Sequence, residues 1–282
     1  MDTTDFEGCV GVDIGGQSIK VGMFREEQLR IIDLDTPAEY ATARGAILGA
    51  VRELAGGTPR GLGVGSPGPL NWRTGVMEWT PNIPWRDVAY TELGSALGCP
   101  VRVDNDANVA GLAEAVLGVG RGHHVVSGFT LGTGIGFFTV IGGHVYHGRL
   151  DVEGGHQVLN PSPDAPLCGC GAHGCLEAYA SASAIEARTG KRPEEIDDPE
   201  FWKEIAGYLA WGITNINVLV CPDVVVLAGG MTKRGAVLMD PLRHRVQEMS
   251  CVLPPPPVEV AELGARAGVY GAIVLAARGH GE

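Results

Sequence analysis

The sequence predicts an α/β protein of two lobes with duplicated domains. Three observations support this prediction: the chain has 282 residues, short apolar segments alternate with helical patterns, and one glycine-rich strand–turn–strand unit occurs twice. An ordinary domain holds about 100–200 residues, so this length favours two domains. A hydrophobic fraction of 45% indicates that both can bury a core.

The repeated unit is an apolar strand, a glycine-rich turn and a second apolar strand. Its first copy has a strand at Cys9–Ile14, a turn at 15–18 and a strand at 19–24. Its second copy begins with the strand Val125–Leu131 and turns at 132–136. Because each copy opens one half of the chain, the sequence indicates two lobes of related architecture.

Further elements complete each half. Buried strands are predicted at 61–65, 101–103 and 224–227, a helix after residue 104, and a Gly/Ala-rich helix at 267–277. We expect an N-terminal lobe of residues 1–117 together with the C-terminal helix 268–282. We expect residues 118–267 to form the C-terminal lobe, which carries a cysteine-rich loop.

Charge and composition exclude several classes of protein. The net charge is −12 and no cluster of Lys and Arg is present, which disfavours a nucleic-acid partner. Residues 1–5 are acidic and polar, unlike a secretory signal, and no apolar stretch is long enough to cross a membrane. The seven cysteines are an odd number with one local cluster, which indicates a metal site before a disulfide framework, so we expect a cytoplasmic protein.

Asn105 and Asp106 stand where a predicted strand ends and a helix begins. In alternating α/β folds, ligands collect at this edge of the sheet. The same residue types are also good helix caps. Ligand binding and capping therefore both remain open for this pair.

The two glycine-rich turns are candidates for phosphate binding. Successive backbone N–H groups in a tight turn can surround an anion where larger residues would block its approach. Asp13 ends the strand beside the turn Gly15-Gly16, where its carboxylate can hold Mg²⁺ through water, and Thr133 offers a hydroxyl in the turn Gly132-Thr133-Gly134. One such turn alone is more often an ordinary β-turn, but two in matching positions favour a nucleotide site without a P-loop.

Three cysteines in one short window suggest a metal site. Cys168, Cys170 and Cys175, with His156 upstream, supply a Cys₃His set suited to tetrahedral Zn²⁺. His173 lies inside the same loop and is the rival fourth ligand. The alternative is three reduced structural thiols.

Several motifs occur in a recognisable order. They are Asp13-Ile14-Gly15-Gly16, Gly65-Ser66-Pro67-Gly68-Pro69, Pro81-Asn82, Asn105-Asp106-Ala107-Asn108, Leu131-Gly132-Thr133-Gly134-Ile135-Gly136, Glu153-Gly154-Gly155-His156, residues 168–181 and Ala228-Gly229-Gly230. Over nearly the whole chain this series resembles the ROK sugar kinases. The resemblance implies the two-lobed actin-like ATPase fold, which is ribonuclease H-like.

The resemblance also implies roles for individual residues. Asp106 corresponds to the general base that takes a proton from a sugar hydroxyl, and Asn105 to a ligand of neighbouring hydroxyls. Glu153 and Glu177 correspond to further sugar ligands. His156 corresponds to a residue that binds structural zinc with one ring nitrogen and sugar with the other.

The resemblance implies ATP with Mg²⁺ as the phosphoryl donor, held by the two glycine turns. Gly229 and Gly230 correspond to the segment that approaches adenosine, although a plain strand-to-helix turn explains them equally well. Four positions depart from the family pattern. Gln17 stands where the family has Thr, Phe137-Phe138 replace glycines, and Gly154 replaces an apolar residue.

The resulting expectation is ATP-dependent phosphorylation of a hexose, with glucose at its 6-hydroxyl the first choice. Mannose, fructose and N-acetylhexosamines are alternative acceptors, and polyphosphate is an alternative donor. A sugar-responsive ROK regulator is a further alternative. It is disfavoured because the first glycine loop begins at residue 13, which leaves no room ahead of it for a DNA-binding domain. The resemblance also implies a homodimer or homotetramer.

Overall fold

The computed structural model describes residues 4–80 and 83–281, so that the motif Pro81-Asn82 lies outside the described residues. The chain divides into two compact units. Unit 1 comprises the described residues of Met1–Gly122, Gly143–Asp151 and Ala265–Glu282, and unit 2 comprises His123–Gly142 and Val152–Gly264.

Three segments, residues 118–122, 143–151 and 265–267, belong to a different unit from the one that the sequence indicated. The longest of them is 143–151. Residues 143–151 fall within the expected C-terminal lobe, but they pack in unit 1. There, Nε2 of His147 lies 3.0 Å from Oδ2 of Asp104, and the carbonyl of Arg149 accepts a 3.0 Å hydrogen bond from Nη1 of Arg73. These polar contacts join residues distant in sequence, and no hydrophobic pattern predicts them.

The elements are numbered along the chain. The strands are β1 (Cys9–Ile14), β2 (Ser18–Arg25), β3 (Gln28–Asp35), β4 (Gly61–Ser66), β5 (Leu70–Asn71), β6 (Val76–Thr80), β7 (Ile83–Ala89), β8 (Val101–Asn105), β9 (Val125–Leu131), β10 (Ile135–Ile141), β11 (His144–Val145), β12 (Val224–Ala228) and β13 (Val258–Val260). The α-helices are α1 (Tyr40–Ala55), α2 (Thr91–Leu97), α3 (Asp106–Val116), α4 (Leu176–Ala180), α5 (Ala182–Thr189), α6 (Pro199–Val220), α7 (Ala236–Met249) and α8 (Ala267–Arg278). Within 4–80 and 83–281, none of the helices combines the length and apolar character needed to span a bilayer.

The main sheet of unit 1 has the strand order β3-β2-β1-β4-β8. β1 pairs antiparallel with β2 and parallel with β4, and β4 pairs parallel with β8. In this register Asp13 lies opposite Gly65, and Ser66 lies opposite Asn105. Three parallel strands therefore end together and bring Asp13 and Asn105 to one edge of the sheet, where α/β folds bind ligands.

Unit 2 repeats this pattern. β9 pairs antiparallel with β10 and parallel with β12, and β12 pairs parallel with β13. The order β10-β9-β12-β13 corresponds to β2-β1-β4-β8 of unit 1. The predicted duplication of an α/β unit is confirmed.

Helix α8 lies close against the sheet of unit 1 because two strand positions are glycine. A Cβ atom at Gly11 would lie 2.6 Å from the carbonyl oxygen of Val269, and one at Gly63 would overlap the carbonyl of Ala272. Any larger residue would push the helix outward, since packed interiors have no spare volume of this size. The Gly/Ala-rich helix predicted at 267–277 is confirmed, one residue longer than expected, but the C-terminal helix expected over 268–282 ends at Arg278, followed by Gly279.

In unit 2, two of the positions that depart from the family pattern, Phe137 and Gly154, lie against each other in the core. A Cβ atom at Gly154 would lie 2.9 Å from Cδ1 of the Phe137 ring and closer still to Cγ. The Phe137 ring is buried and packs against Phe129, with ring centroids 5.4 Å apart. The aromatic side chain at 137 therefore fills the volume that a larger residue at 154 would take.

We expect Gly154→Leu to destabilise the protein by about 1–3 kcal/mol, because the new side chain must displace the Phe137 ring from a packed core. Combined with Phe137→Ala, it should cost less than the sum of the two single substitutions, since the deleted ring makes space. Chemical denaturation of the single and double variants measures this coupling.

Phe138→Ala is the matched control, because its ring packs over Gly128 on the other side of the strand. Its effect should add to that of Gly154→Leu. If the free-energy costs of Gly154→Leu and Phe137→Ala were also simply additive, positions 137 and 154 would not share space.

Candidate active site

The first glycine turn joins β1 to β2 and is closed by backbone hydrogen bonds. Gly15 N–H donates to the carbonyl of Ser18 at 2.9 Å, and Oγ1 of Thr36 donates to the carbonyl of Gly15 at 2.7 Å. The carbonyl of Gln17 accepts a 3.2 Å bond from Thr36 N–H. Gly16 and Gln17 are exposed at the tip. The turn is thus a fixed loop that presents its tip to solvent.

Asp13 lies at the end of β1 beside this turn. A Cβ atom at Gly268, near the start of α8, would lie 2.6 Å from its Oδ1, so the missing side chain makes room for the carboxyl group. Burial raises the pKa of Asp13 to about 6; nearby Lys20 acts to lower it, and the negative charge of Asp106 acts to raise it further. Asp13 and Asp106 are therefore close enough to repel each other, as their shared sheet edge requires.

Asn105 and Asp106 form the junction of β8 and α3. Asn105 is the N-cap of α3: its side-chain oxygen accepts a 2.8 Å hydrogen bond from Ala107 N–H. Oδ1 of Asp106 accepts from the same N–H at 2.8 Å. Helix capping, which the sequence left open, is therefore present. Asp106 is also exposed, so that capping fixes the direction of a carboxylate that solvent can reach.

Asp104 supports this junction from within unit 1, and the sequence analysis missed it. Its side chain is fully buried, and Oδ1 accepts hydrogen bonds from Asn105 N–H at 2.8 Å and from Nδ2 of Asn108 at 2.9 Å. Burial acts to raise the pKa of Asp104, but interactions with His147, His280 and Asn108 hold it below its usual value. The available signal was an acidic residue directly after the apolar Val103, next to the end of β8.

The second glycine turn joins β9 to β10 and is anchored by the start of α5. Gly132 N–H donates to the carbonyl of Gly134 at 3.0 Å. The carbonyl of Gly132 accepts from Ala182 N–H at 2.9 Å, and the carbonyl of Thr133 accepts from Oγ of Ser183 at 2.8 Å. These bonds occupy carbonyl oxygens that would otherwise repel an anion, which favours a phosphate site at the turn.

Glu177 connects the second turn to the cysteine loop. Its Oε2 accepts a 2.9 Å hydrogen bond from Ile135 N–H and fits against Gly134, where a Cβ atom would lie 2.5 Å away. Its Oε1 lies 3.7 Å from Sγ of Cys168 and 4.0 Å from Nδ1 of His156. The sequence predicted only a sugar ligand at this position. In the structure this carboxylate also holds the start of β10.

The predicted metal ligands come together in unit 2. The ligand atoms of His156, Cys168, Cys170 and Cys175 all lie within 4.8 Å of one another. The Sγ atoms of Cys170 and Cys175 are 3.7 Å apart, and Sγ of Cys168 is 3.5 Å from Nδ1 of His156. Tetrahedral zinc, with bonds of about 2.3 Å to sulfur and about 2.0–2.1 Å to nitrogen, separates such atoms by about 3.8 Å and about 3.6 Å. The distances fit four-coordinate zinc.

His156, and not the rival His173, completes this set. Nδ1 of His173 lies 2.7 Å from the carbonyl oxygen of Ala165, so a backbone contact holds that ring. The His156 ring turns Nδ1 toward Sγ of Cys168, which leaves Nε2 on its opposite side. Gly174 permits the bend of the loop: its φ is +74°, and a Cβ atom there would overlap the carbonyl of Asn160.

The predicted adenosine segment adjoins the second glycine turn. Gly229 follows β12 with a φ of 97°, and a Cβ atom there would overlap the carbonyl of Leu131. Leu131 is the last residue of β9, immediately before the turn. Gly230 is exposed and opens a short 3₁₀ helix. The close approach of residue 229 to the backbone of Leu131 therefore requires a glycine, independently of any ligand.

Glu153, the remaining predicted sugar ligand, is exposed. It stands directly before a short 3₁₀ helix that ends at His156, and its carbonyl accepts a 3.0 Å hydrogen bond from His156 N–H. The backbone therefore couples the position of this residue to that of the metal ligand.

The raised pKa of Asp13 predicts a pH-dependent cost to stability. The folded state holds the proton up to about pH 6, whereas the unfolded carboxyl titrates near 3.8. The cost of burying the charge is therefore absent at about pH 4, grows from there, and is complete above about pH 6. In the absence of nucleotide and divalent cations, Asp13→Asn should match wild type near pH 4 and exceed its free energy of unfolding by roughly 2–3 kcal/mol at neutral pH.

Denaturation curves across this pH range test the prediction. Asp240→Asn, which removes an exposed carboxylate on α7, is the control and should differ from wild type equally at every pH. A stability difference for Asp13→Asn that does not change with pH would contradict the raised pKa.

Comparison with known proteins agrees with this architecture. The ROK family model matches residues 9–279. A glucokinase from Thermotoga maritima is 32% identical over 275 residues, covering 84% of this chain and 86% of that protein. A ROK hexokinase from Thermus thermophilus has a TM-score of 0.87 at 33% identity, covering 95% of this chain and 97% of that one. A ROK family glucokinase from Streptomyces griseus, solved with glucose and AMPPNP, has a TM-score of 0.77 at 30% identity, covering 96% and 99%.

These matches run over nearly the whole chain, and the solved neighbours share its duplicated α/β sheets of the actin-like ATPase fold. The match spans both glycine turns, the Asn105-Asp106 junction and the cysteine loop. The chain belongs to the ROK family.

Proposed function

We propose that this protein transfers the γ-phosphoryl group of ATP to the 6-hydroxyl of glucose. It is a sugar kinase, as its family and its similarity to glucokinases indicate. One observation in the structure supports the proposal most directly. Asp106 is an exposed carboxylate fixed at the first turn of α3, at the sheet edge where Asp13 also ends its strand.

In the proposed reaction Asp106 is the general base. A sugar hydroxyl is a weak nucleophile, and a positioned carboxylate that takes its proton contributes typically about 10²–10⁴ in rate. The bond from Ala107 N–H to Oδ1 supplies that positioning. The cap uses the oxygen of Asn105, and the amide N–H groups of that side chain donate to a neighbouring sugar hydroxyl.

The donor phosphates bind to backbone N–H groups of the turns Gly15-Gly16 and Gly132-Thr133-Gly134. Asp13 holds Mg²⁺ through water, and the ion neutralises phosphate charge when it is bound. A cation there also relieves the cost of the half-buried Asp13 carboxylate. Gly229-Gly230 borders the adenosine. These two residues have no side chains, so the nucleotide can approach their backbone.

In unit 2, Glu153, Nε2 of His156 and Oε1 of Glu177 contact the sugar hydroxyls. A carboxylate that accepts from two adjacent hydroxyls distinguishes sugars by the orientation of those groups, because a wrong epimer leaves an acceptor unpaired. Glucose is proposed over other hexoses because of the similarity to glucokinases.

We further propose that the Cys₃His cluster holds one structural zinc ion. The support is geometric: the sulfur–sulfur and sulfur–nitrogen distances match those between ligands of one tetrahedral zinc ion. Four protein ligands leave no open position for water, which excludes this metal from the chemistry. The ion sets the loop that carries His156 and the start of α4, where Glu177 lies.

A coupled ADP-release assay over a panel of hexoses tests the substrate. We expect the highest kcat/KM with glucose and lower values with mannose, fructose and N-acetylhexosamines, with ATP preferred to polyphosphate. A higher kcat/KM with another hexose would overturn the choice of glucose and leave the sugar kinase intact.

Asp106→Asn should lower kcat by about 10²–10⁴ while glucose still binds, because the amide keeps the cap and loses the base. The same assay and calorimetric titration with glucose separate the two effects. Asp240→Asn is the control and should behave as wild type. A kcat near the wild-type value in Asp106→Asn would refute the assignment.

The zinc assignment is tested by a matched pair of histidine variants. His156→Gln and Cys170→Ser should each contain one zinc equivalent fewer per chain than wild type, measured by elemental analysis after dialysis. His173→Gln should retain the wild-type content, since its ring faces a backbone carbonyl. The reverse outcome, with zinc lost only in His173→Gln, would make that residue the ligand.

A further inference from the structure

Unit 1 contains a second cluster of metal-ligand side chains that the proposed reaction does not use. One ligand atom each from Asp104, His147 and Asp151 lies within 4.8 Å of the others. Nε2 of His147 is 3.0 Å from Oδ2 of Asp104 and 3.7 Å from Oδ1 of Asp151. The three residues come from the end of β8 and from the segment 143–151.

One oxygen of Asp104 has no hydrogen-bond donor in this cluster. Oδ1 is used by Asn105, Asn108 and the ring of His147, whereas the fully buried Oδ2 accepts no hydrogen bond from the described residues. Two ring nitrogens approach Oδ2, that of His147 at 3.0 Å and that of His280 at 3.5 Å, and neither has hydrogen-bond geometry. An unsatisfied buried carboxylate oxygen is costly, and a cation among these atoms would satisfy it.

The distances suit a metal centre. Bonds of about 2.0–2.1 Å to oxygen and nitrogen separate neighbouring ligands by about 3.0 Å in an octahedron and about 3.4 Å in a tetrahedron. The distances from Nε2 of His147 to Oδ2 of Asp104, 3.0 Å, and to Oδ1 of Asp151, 3.7 Å, lie close to these values. One imidazole and two carboxylates supply nitrogen and oxygen ligands, which bind divalent first-row metals without any thiolate.

The charge of the cluster also favours a divalent cation. The side chains of Asp104, His147 and Asp151 are only 0%, 4% and 13% exposed, so two carboxylates face the His147 imidazole largely without water. The second imidazole, that of His280, is farther from Oδ2, at 3.5 Å, and its Nε2 lies closer to the carbonyl of Val103. A single protonated histidine would leave one negative charge uncompensated. A divalent cation balances both carboxylates with the imidazole neutral, which is its metal-binding form.

Two neighbouring rings complete the surroundings of the cluster. Trp72 stacks on the His147 ring with centroids 4.2 Å apart and planes 20° apart, which holds the imidazole in one orientation. Nε2 of His280 lies 3.1 Å from the carbonyl oxygen of Val103. Because that contact occupies its nitrogen, His280 stands beside the centre and is not counted among the ligands.

We propose that Asp104, His147 and Asp151 form a second metal site, which binds a divalent transition-metal cation. The bound ion joins the segment 143–151 to the end of β8. It therefore fixes Asp104, whose other oxygen holds the backbone of Asn105. The role is structural, and the ion does not contact substrate.

Metal uptake by the full chain tests this proposal with Zn²⁺ as the probe. Chelator-treated protein, reloaded with Zn²⁺ and desalted, should contain two zinc equivalents per chain. His147→Gln should contain one, retained by the cysteine loop, and Cys170→Ser should contain one, retained by the new site. His244→Gln removes a histidine that is 74% exposed on α7 and should keep both.

Anomalous scattering at the zinc edge from wild-type crystals locates the ions without any variant, so the test stands even where His147→Gln fails to fold. A peak bounded by Asp104, His147 and Asp151 is expected. A wild-type content of one zinc, all of it lost in Cys170→Ser, or a peak at the cysteine loop alone, would overturn the proposal and leave these residues as a buried ion pair.

Discussion

The start of α3 depends on the buried carboxylate of Asp104. One oxygen of this group accepts hydrogen bonds from Asn105 N–H and from the side chain of Asn108, and so joins the last residue of β8 to the first turn of the helix. Bonds to an ionised acceptor are stronger than neutral ones, but a buried charge is tolerated only where it is compensated. The compensation comes from His147 and its neighbours. The direction of Asp106 therefore depends on Asp104 and on the residues packed around it.

The features that the sequence predicts are those with a local pattern. An apolar strand followed by glycines is visible within about ten residues of sequence, and so the duplicated unit and its two turns are recognisable. The cysteine cluster is recognisable because three ligands lie within eight residues, from Cys168 to Cys175. Helix α8 is predicted from its composition, although the reason for its close contact with β1 and β4 needs the structure.

The features that the sequence could not predict depend on contacts between distant residues. The resemblance already implied His156 as the fourth ligand, but the structural reason against His173, a carbonyl at Ala165 that holds its ring, has no signal in the sequence. The departures at 137 and 154 appear as two separate anomalies in the sequence and become one compensated pair only when the Phe137 ring is seen against Gly154. The strand β5 has only two residues, β6 has a register shift between Trp79 and Thr80, and β7 contains Pro84, so that these strands lack the regular alternation by which strands are recognised.

The same sheet edge that assembles the proposed site also makes it unstable without ligands. Parallel pairing of β1, β4 and β8 brings Asp13 near Asp106. Burial is the main cause of the raised pKa of Asp13, and the attraction of Lys20 opposes it more than the repulsion of Asp106 adds to it. A fold selected for stability alone would remove one of these carboxylates. The proposed reaction requires both, because the donor arrives with a divalent cation and the acceptor must lose a proton. A cation bound beside the Asp13 carboxylate would offset the cost of burying its charge, which is the role that the proposed reaction gives to Mg²⁺.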